Sequence, residues 1–419
     1  MSDFPVQLSV DDARERILAH CANRRLPAEA VDLGDAHGRV LSFDACAPGD
    51  LPPFANSAMD GFAVCSVDLP TSGERRLRLV GTRLAGDAAG ASVMTGECLR
   101  ITTGAPMPTG ADTVVIKERV RVEGDSILLG AGEVAGSHVR PAGEDFRSAE
   151  VVVRAGLRIT PPLLAALASL GEAHVEVARR PRVSVMTTGD ELVLPGEPCA
   201  AAQIYNSNGY CLAAMLEADG CELVSASAPP ASSSFRHLRD DAGLIRTALL
   251  EAAANSDVIV TSGGVSAGEA DFLPDLVGEI GRVLFWKVRM RPGMPFLFGE
   301  IGRTLVFCLP GNPVSTMATY LGMVRPALAA IQGSCEPPLR LLSARLSVPL
   351  VKRHERTEFV RAVREPGADG VLHVRPTSHQ GSAMLRGMVD ADSLIIVPES
   401  TRTLEQGSIV QVLPIPELY

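Results

Sequence analysis

Paired thiols, paired histidines and long apolar runs are what this 419-residue chain lacks, and each absence removes a class of function. Its nine cysteines, an odd number, include no C-x-x-C, so neither a disulfide framework nor a zinc site is signalled and a reducing cytoplasm fits best. Its eight histidines form no H-E-x-x-H and no pair at ligand spacing on a helix face, so any metal is expected to be held by oxygen. No apolar run approaches the roughly eighteen residues a membrane helix needs; the 163–170 segment falls far short. The first residues are charged and lack the apolar core of a signal peptide. Basic charge is scarce too. A net charge of -10 and a pI near 5.4 argue against a general nucleic-acid binder. Lys287, Arg289 and Arg291 form a local basic cluster that suits a small anion.

The length implies two to four domains, since single cores stop growing at roughly 250 to 300 residues. Ser9 precedes an acidic, apolar-periodic segment, which predicts a capped helix ending near Ala22. A short strand is expected within 31–41. Strands and Gly-rich turns over 77–129 predict a small all-β module. Pro161 should open a short helix that Gly171 closes. From Arg182 the pattern becomes strands at 183–186, 222–225, 258–260, 283–285 and 305–308, with helices at 209–218 and 235–254. That alternation predicts a doubly wound α/β sheet, whose ligands bind beyond the carboxyl ends of its strands. The last segment, 337–419, reads as a separate β-domain.

Three strand ends carry unusual residues: T-T-G-D-E-L at 187–192, S-G-G-V-S at 262–266 and L-P-G-N-P at 309–313. In the second, Gly263, Gly264 and Gly268 free backbone N–H groups to face an anion, Ser262 and Ser266 add hydroxyls, and Glu269 and Asp271 follow. Donors for phosphate followed by carboxylates for a cation suggest a phosphorylated substrate handled with magnesium. A plain strand-to-helix turn with surface acids explains that loop alone equally well. It is not a P-loop, since no Lys-Ser or Lys-Thr follows the glycines. Elsewhere, Asn56, Ser57 and Asp60 form a polar turn, 100–112 is a long Pro-Gly loop with three threonines, and 139–147 packs two arginines and two acids around a glycine.

Seven blocks occur in order: N-S-A-M-D-G-F-A-V at 56–64, T-G-A-P at 103–106, G-E-D at 143–145, T-G-D-E-L at 188–192, S-G-G-V-S with G-E-A-D over 262–271, L-P-G-N-P at 309–313 and Q-G-S at 380–382. Together they resemble the molybdopterin molybdotransferase family, the bacterial MoeA proteins and the E domain of gephyrin. The resemblance implies a homodimer with four domains per subunit. These would be a discontinuous elongated domain over 1–50 and 142–180, an inserted β-rich domain over 51–141, an α/β molybdopterin-binding domain over 181–332 and a C-terminal β-barrel over 333–419. It also implies a cleft in which one subunit's inserted module faces the other's α/β domain.

The implied reaction consumes adenylylated molybdopterin and molybdate with Mg2+, cleaves the phosphoanhydride and releases AMP and molybdenum cofactor. By position in the matched blocks, Asp60, Glu191 and Asp271 would be metal-binding or catalytic acids, with Thr103 and Asp145 as polar catalytic partners and Arg140 nearby. Ser262, Gly263, Gly264 and Ser266, with Pro310, Gly311, Asn312 and Pro313, would shape the pterin and phosphate pocket. Lys287 and Arg291 would bring positive charge, and Arg356 and Ser382 would contribute from the last domain. Implied partners are a molybdopterin adenylyltransferase and the molybdoenzymes that accept the product, with no nucleic acid and no membrane. Two departures from the family's pattern stand out: 228–234 lacks an acid that many members carry, and in the 291–295 block, where members often have lysines, Arg291 keeps the charge but Met294 removes a possible contact. They keep open a non-catalytic pterin-binding scaffold, and the T-G-D-E and S-G-G-V-S loops, shared with the related molybdopterin adenylyltransferase, keep that enzyme open as a second alternative.

Overall fold

The computed structural model describes residues 5–88, 90–224, 234–266 and 272–415. The chain divides into two compact units, one of Met1–Phe43, Ala155–Thr160 and His174–Tyr419, the other of Asp44–Arg154 and Pro161–Ala173.

In the first unit an eight-stranded sheet runs in the order Val6–Leu8, Arg282–Val288, Leu297–Ile301, Thr304–Leu309, Val258–Ser262, Arg182–Thr188 and Glu222–Leu223, with Arg236–Leu238 also paired to Arg182–Thr188. Its centre is parallel, Val258–Ser262 lying between Arg182–Thr188 and Thr304–Leu309. The alternation of side chains explains why these strands carry apolar residues at nearly every position. Val183, Val185, Val258, Val260, Leu305, Phe307 and Leu309 face one core with Leu212, Leu216 and Ala318. Met186, Ile259, Val306 and Cys308 face another with Ile245, Leu249 and Leu276. A sheet covered by helices on both faces needs such runs.

Helices Asn208–Ala218, Ala242–Asn255 and Leu273–Ile280 accompany this sheet, as does Pro313–Thr319, which continues through a π turn, Tyr320–Val324, into Arg325–Ile331. The expected N-terminal helix spans Val10–Ala22, and the Ser9 hydroxyl accepts from Asp12 N–H at 3.0 Å. Its apolar face, Val10, Ala13, Ile17 and Cys21, shares the core of the sheet. Three local expectations are corrected. The strand expected within 31–41 lies at Ala28–Asp32, paired with His174–Ala178. The 235–254 segment is a strand, Arg236–Leu238, before a helix that starts at Ala242. Arg282–Val288 belongs to an antiparallel stretch made with Leu297–Ile301.

The C-terminal β-domain is a closed five-strand barrel. Thr357–Pro366, Leu372–Pro376, Leu342–Leu346, Ile409–Pro414 and Ser393–Val397 pair in turn, and the last returns to the first. Closure leaves no open edge around its core of Leu346, Ala362, Val374, Ile395 and Val412.

The second unit holds a six-stranded sheet, Thr113–Ile116, Gly61–Val64, Glu97–Ile101, Glu74–Arg83, Ser126–Gly130 and Val120–Glu123, over a core of Phe62, Val64, Leu77, Cys98, Val115, Ile127 and Leu129. Gly61 is there for space, since a Cβ would lie 2.0 Å from the Val115 carbonyl oxygen. Helix Pro161–Ser169 also belongs to this unit, and Gly171 behind it adopts φ +81. Among the described residues no helix is long and apolar enough to cross a membrane.

Candidate functional site

The carboxyl ends of the three central parallel strands open into a cavity of about 860 Å³. It brings together Glu191, Ser262, Gly263, Gly264, Ser266, Pro310, Gly311, Asn312 and Pro313. Two turns meet at its floor with no side chain between them: an ideal Cβ on Gly311 would be 3.6 Å from the Cα of Gly263. Gly263 has φ +101, and a Cβ on it would lie 2.5 Å from the Thr188 carbonyl oxygen. Its N–H donates to Leu309 O at 3.1 Å, which ties the second strand end to the third.

The Ser262 hydroxyl is engaged within the protein. It donates to Pro310 O at 3.1 Å and accepts from Asn208 Nδ2 at 2.9 Å. Asn208 Nδ2 also donates to Gly311 O at 2.7 Å, so one amide clamps both turns. Asn206, fully buried, donates to Thr187 Oγ1 at 2.7 Å and accepts from Gly209 N–H at 3.1 Å. Neither asparagine stands out in the sequence except as part of Y-N-S-N-G at 205–209, a polar cluster ahead of a helix. The Thr188 hydroxyl, buried in the cavity wall, has no hydrogen-bond partner among the described residues. A buried hydroxyl in that position is a donor or acceptor free for a ligand.

Acids gather at one side. Glu191 is exposed, and its carboxylate folds over Gly189, where a Cβ would meet Oε2 at 2.5 Å. Asp240, another lining residue, exchanges contacts with Asp190: each backbone N–H donates to the other's carboxylate at 3.3 Å. Asp271 and most of 228–234 lie outside the described residues. Among the described residues no three His, Cys, Asp or Glu side chains converge as a metal cluster. Glu191 and Asp240 nonetheless present the hard oxygen donors that magnesium takes, usually one or two carboxylates with the rest from substrate and water.

Asn312 begins the helix after its turn, and its side chain, instead of capping, donates to Ser382 Oγ at 3.2 Å. Val314 N–H donates to Ser382 O at the same distance, so Ser382 joins the P-G-N-P turn. Its loop is held from behind by Arg361, 1 % exposed, whose Nη1 donates to Gly381 O at 2.9 Å. The other expected cations do not line the cavity. Lys287 lies over the Trp286 ring, 4.2 Å from its centroid. Arg291 is 3.7 Å from Glu358, and Arg356 Nη1 lies 3.7 Å from Met294 Sδ.

The remaining expected residues belong to the second unit. Asp60 directly precedes the strand Gly61–Val64, and its Oδ1 accepts from Thr103 N–H at 2.9 Å and Thr103 Oγ1 at 3.0 Å. Lys117 Nζ, unmarked by the sequence, lies 3.8 Å from Oδ2. The Thr103 amide first, then its hydroxyl, and more weakly Lys117 hold the Asp60 carboxyl below its ordinary range. Arg140 pairs in register with Asn56 and is 4.0 Å from Glu144, while exposed Asp145 donates its N–H to Leu51 O at 3.0 Å.

Three family regions match the chain in succession: the MoeA N-terminal region (domain I and II) over 8–171, the probable molybdopterin binding domain over 184–330 and the MoeA C-terminal region (domain IV) over 343–415. A molybdopterin molybdenumtransferase of Haemophilus influenzae is 33% identical over 98% of this chain and 99% of its own. The chain is a member of the MoeA family. A molybdopterin molybdenumtransferase 2 of Mycobacterium tuberculosis is 35% identical over 95% of this chain and 97% of its own. A solved molybdopterin biosynthesis MoeA protein of Pyrococcus horikoshii superposes with a TM-score of 0.83 at 27% identity, covering 98% of this chain and 100% of that one. The adenylyltransferase alternative is not favoured, because MoeA regions flank the α/β domain on both sides.

Proposed function

We propose that this MoeA-family chain inserts molybdenum into adenylylated molybdopterin, consuming molybdate and releasing AMP. The observation that carries this reading is the cavity at the carboxyl ends of the central strands, built from three of the family's blocks and floored by two turns that meet at Gly263 and Gly311. Such turns let backbone N–H groups approach phosphate oxygens closely. Ser266, Thr188 and the Gly264 N–H hold the phosphate end of the pterin, and Gly263, its own N–H given to Leu309 O, shapes the turn that presents them. Asn208 keeps the two turns at fixed separation, and Ser382 is carried in by Asn312.

Asp60, Glu191 and Asp271 are the proposed metal-binding acids, and Asp240 is added to them by its place in the cavity wall. Bound Mg2+ would neutralise charge on the anhydride. Hydrogen bonds from Thr103 favour the ionised form of Asp60, the form a hard cation requires. Asp145 and Arg140 remain proposed polar partners, and Lys287, Arg291 and Arg356 proposed sources of positive charge. A cytoplasmic homodimer with the four-domain division given above completes the proposal.

The test is AMP release from adenylylated molybdopterin on addition of molybdate, for wild type and Asp271→Ala. Molybdate-dependent release that the substitution abolishes is expected. ATP consumption instead would indicate the adenylyltransferase, and binding without AMP release a scaffold.

A further inference from the structure

Trp286 is the only tryptophan of the chain, and it is not part of the cavity wall. Its indole Nε1–H donates to the carbonyl of Val265 at 3.1 Å. Val265, 1 % exposed, lies in the loop that carries Ser262, Gly263, Gly264 and Ser266. In a planar trans peptide the carbonyl and the following N–H point opposite ways. Drawing the Val265 carbonyl toward Trp286 therefore turns the Ser266 N–H away from the indole, and Ser266 is a lining residue of the cavity. No described residue accepts from that N–H.

The loop needs such an anchor. Gly263 and Gly264 have φ +101 and +64, a region glycine enters freely; the peptide after Gly264 is held by Leu273 N–H, which donates to Gly264 O at 3.2 Å, whereas the carbonyl of Val265 has no backbone donor among the described residues. Ser262 and Gly263 are tied down by Pro310 O and Leu309 O, and the indole bond fixes the peptide after Val265. The indole is itself held. Lys287 adopts φ +64, which breaks the alternation of its strand, and its ammonium lies 4.2 Å from the Trp286 ring centroid.

We infer that Trp286 is a positioning residue: through Val265 it fixes the Ser266 N–H as a donor to a phosphate oxygen of the substrate, touching no substrate atom itself. This rests on the proposed function for the identity of the ligand. A donor that holds phosphate equally in ground and transition states governs binding and not turnover.

Trp286→Phe keeps a ring in place and removes the N–H. Its KM for adenylylated molybdopterin should rise about tenfold, the scale of one hydrogen bond, with kcat within about twofold. An unchanged KM, or a loss of kcat and thermal stability with KM unmoved, would overturn the positioning role. A second measurement uses wild-type protein labelled with 15N-tryptophan, which gives a single indole resonance. Inorganic pyrophosphate should shift that resonance saturably, and no shift would again overturn the role. If wild type released no AMP, the functional reading alone would fail, and the pyrophosphate titration would still decide the role of Trp286.

Discussion

Asp60 shows what its neighbours do to a single charge. Two donors from Thr103 converge on one carboxylate oxygen, and both favour the ionised form. A depressed carboxyl is kept ionised above its ordinary value and loses that preference only as the pH falls through the lower, folded value. Thr103→Val removes the hydroxyl and disturbs the amide. We expect the Asp60 pKa to rise and the acid limb of AMP release to move to higher pH, read by 13C titration of the carboxyl and by a pH-rate profile. The neighbouring Gly61 answers to space. Gly61→Ala should destabilise the protein by about 1–3 kcal/mol or more in urea unfolding, because the Val115 carbonyl cannot make room for a methyl without breaking the sheet pairing. Chemistry-bearing residues next to one another in the chain were legible in the sequence: the S-G-G-V-S loop and the P-G-N-P turn do meet at one cavity. Asn208, Asp240, Arg361 and Trp286 were not legible, since each takes its role from a partner far away in sequence.

Helices Asn208–Ala218 and Pro313–Thr319 both start at the cavity, and they are fastened to each other beyond it. Asp219, which ends the first, accepts from the fully buried hydroxyl of Tyr320, in the π turn that continues the second, at 2.6 Å, and from Nε of Arg325, just past that turn, at 2.9 Å. Tyr320→Phe should lower stability by about 1–3 kcal/mol in urea unfolding, since Asp219 loses a buried donor and keeps only Arg325. Burial, and then the Asp219 charge, push the Tyr320 phenol well above its ordinary value. A raised folded pKa gives a contribution that is full below the unfolded value of about 10 and fades as the pH climbs past it. Wild type should therefore lose stability above about pH 10, and the phenylalanine variant should lose less. At this scale the serine-capped helix and the parallel strands were readable from caps and β-branched runs. Strand Leu297–Ile301 was not, because it follows two prolines and its five buried residues show no alternation.

At the scale of the whole molecule the order of the family's regions follows the chain, and a barrel closes it. The doubly wound sheet, unlike the barrel, has rims. One is covered by the three-residue strand Val6–Leu8, which pairs in parallel with Trp286 and Val288. Trp286 N–H donates to Pro5 O at 3.1 Å, and Arg289 N–H to Leu8 O at 2.7 Å. Deleting residues 1–8 should speed amide exchange at Trp286 and Arg289 and promote self-association, as hydrogen-exchange mass spectrometry and light scattering would record. So small a strand carries too little periodicity to be seen in the sequence.

Its position has a consequence for how the polypeptide is made. Val6–Leu8 leaves the ribosome well before the strand it must zip against, which emerges only after Arg182–Thr188 and Val258–Ser262 have been produced. During translation that short segment has to wait unpaired across the whole stretch of chain between them, until Arg282–Val288 is made.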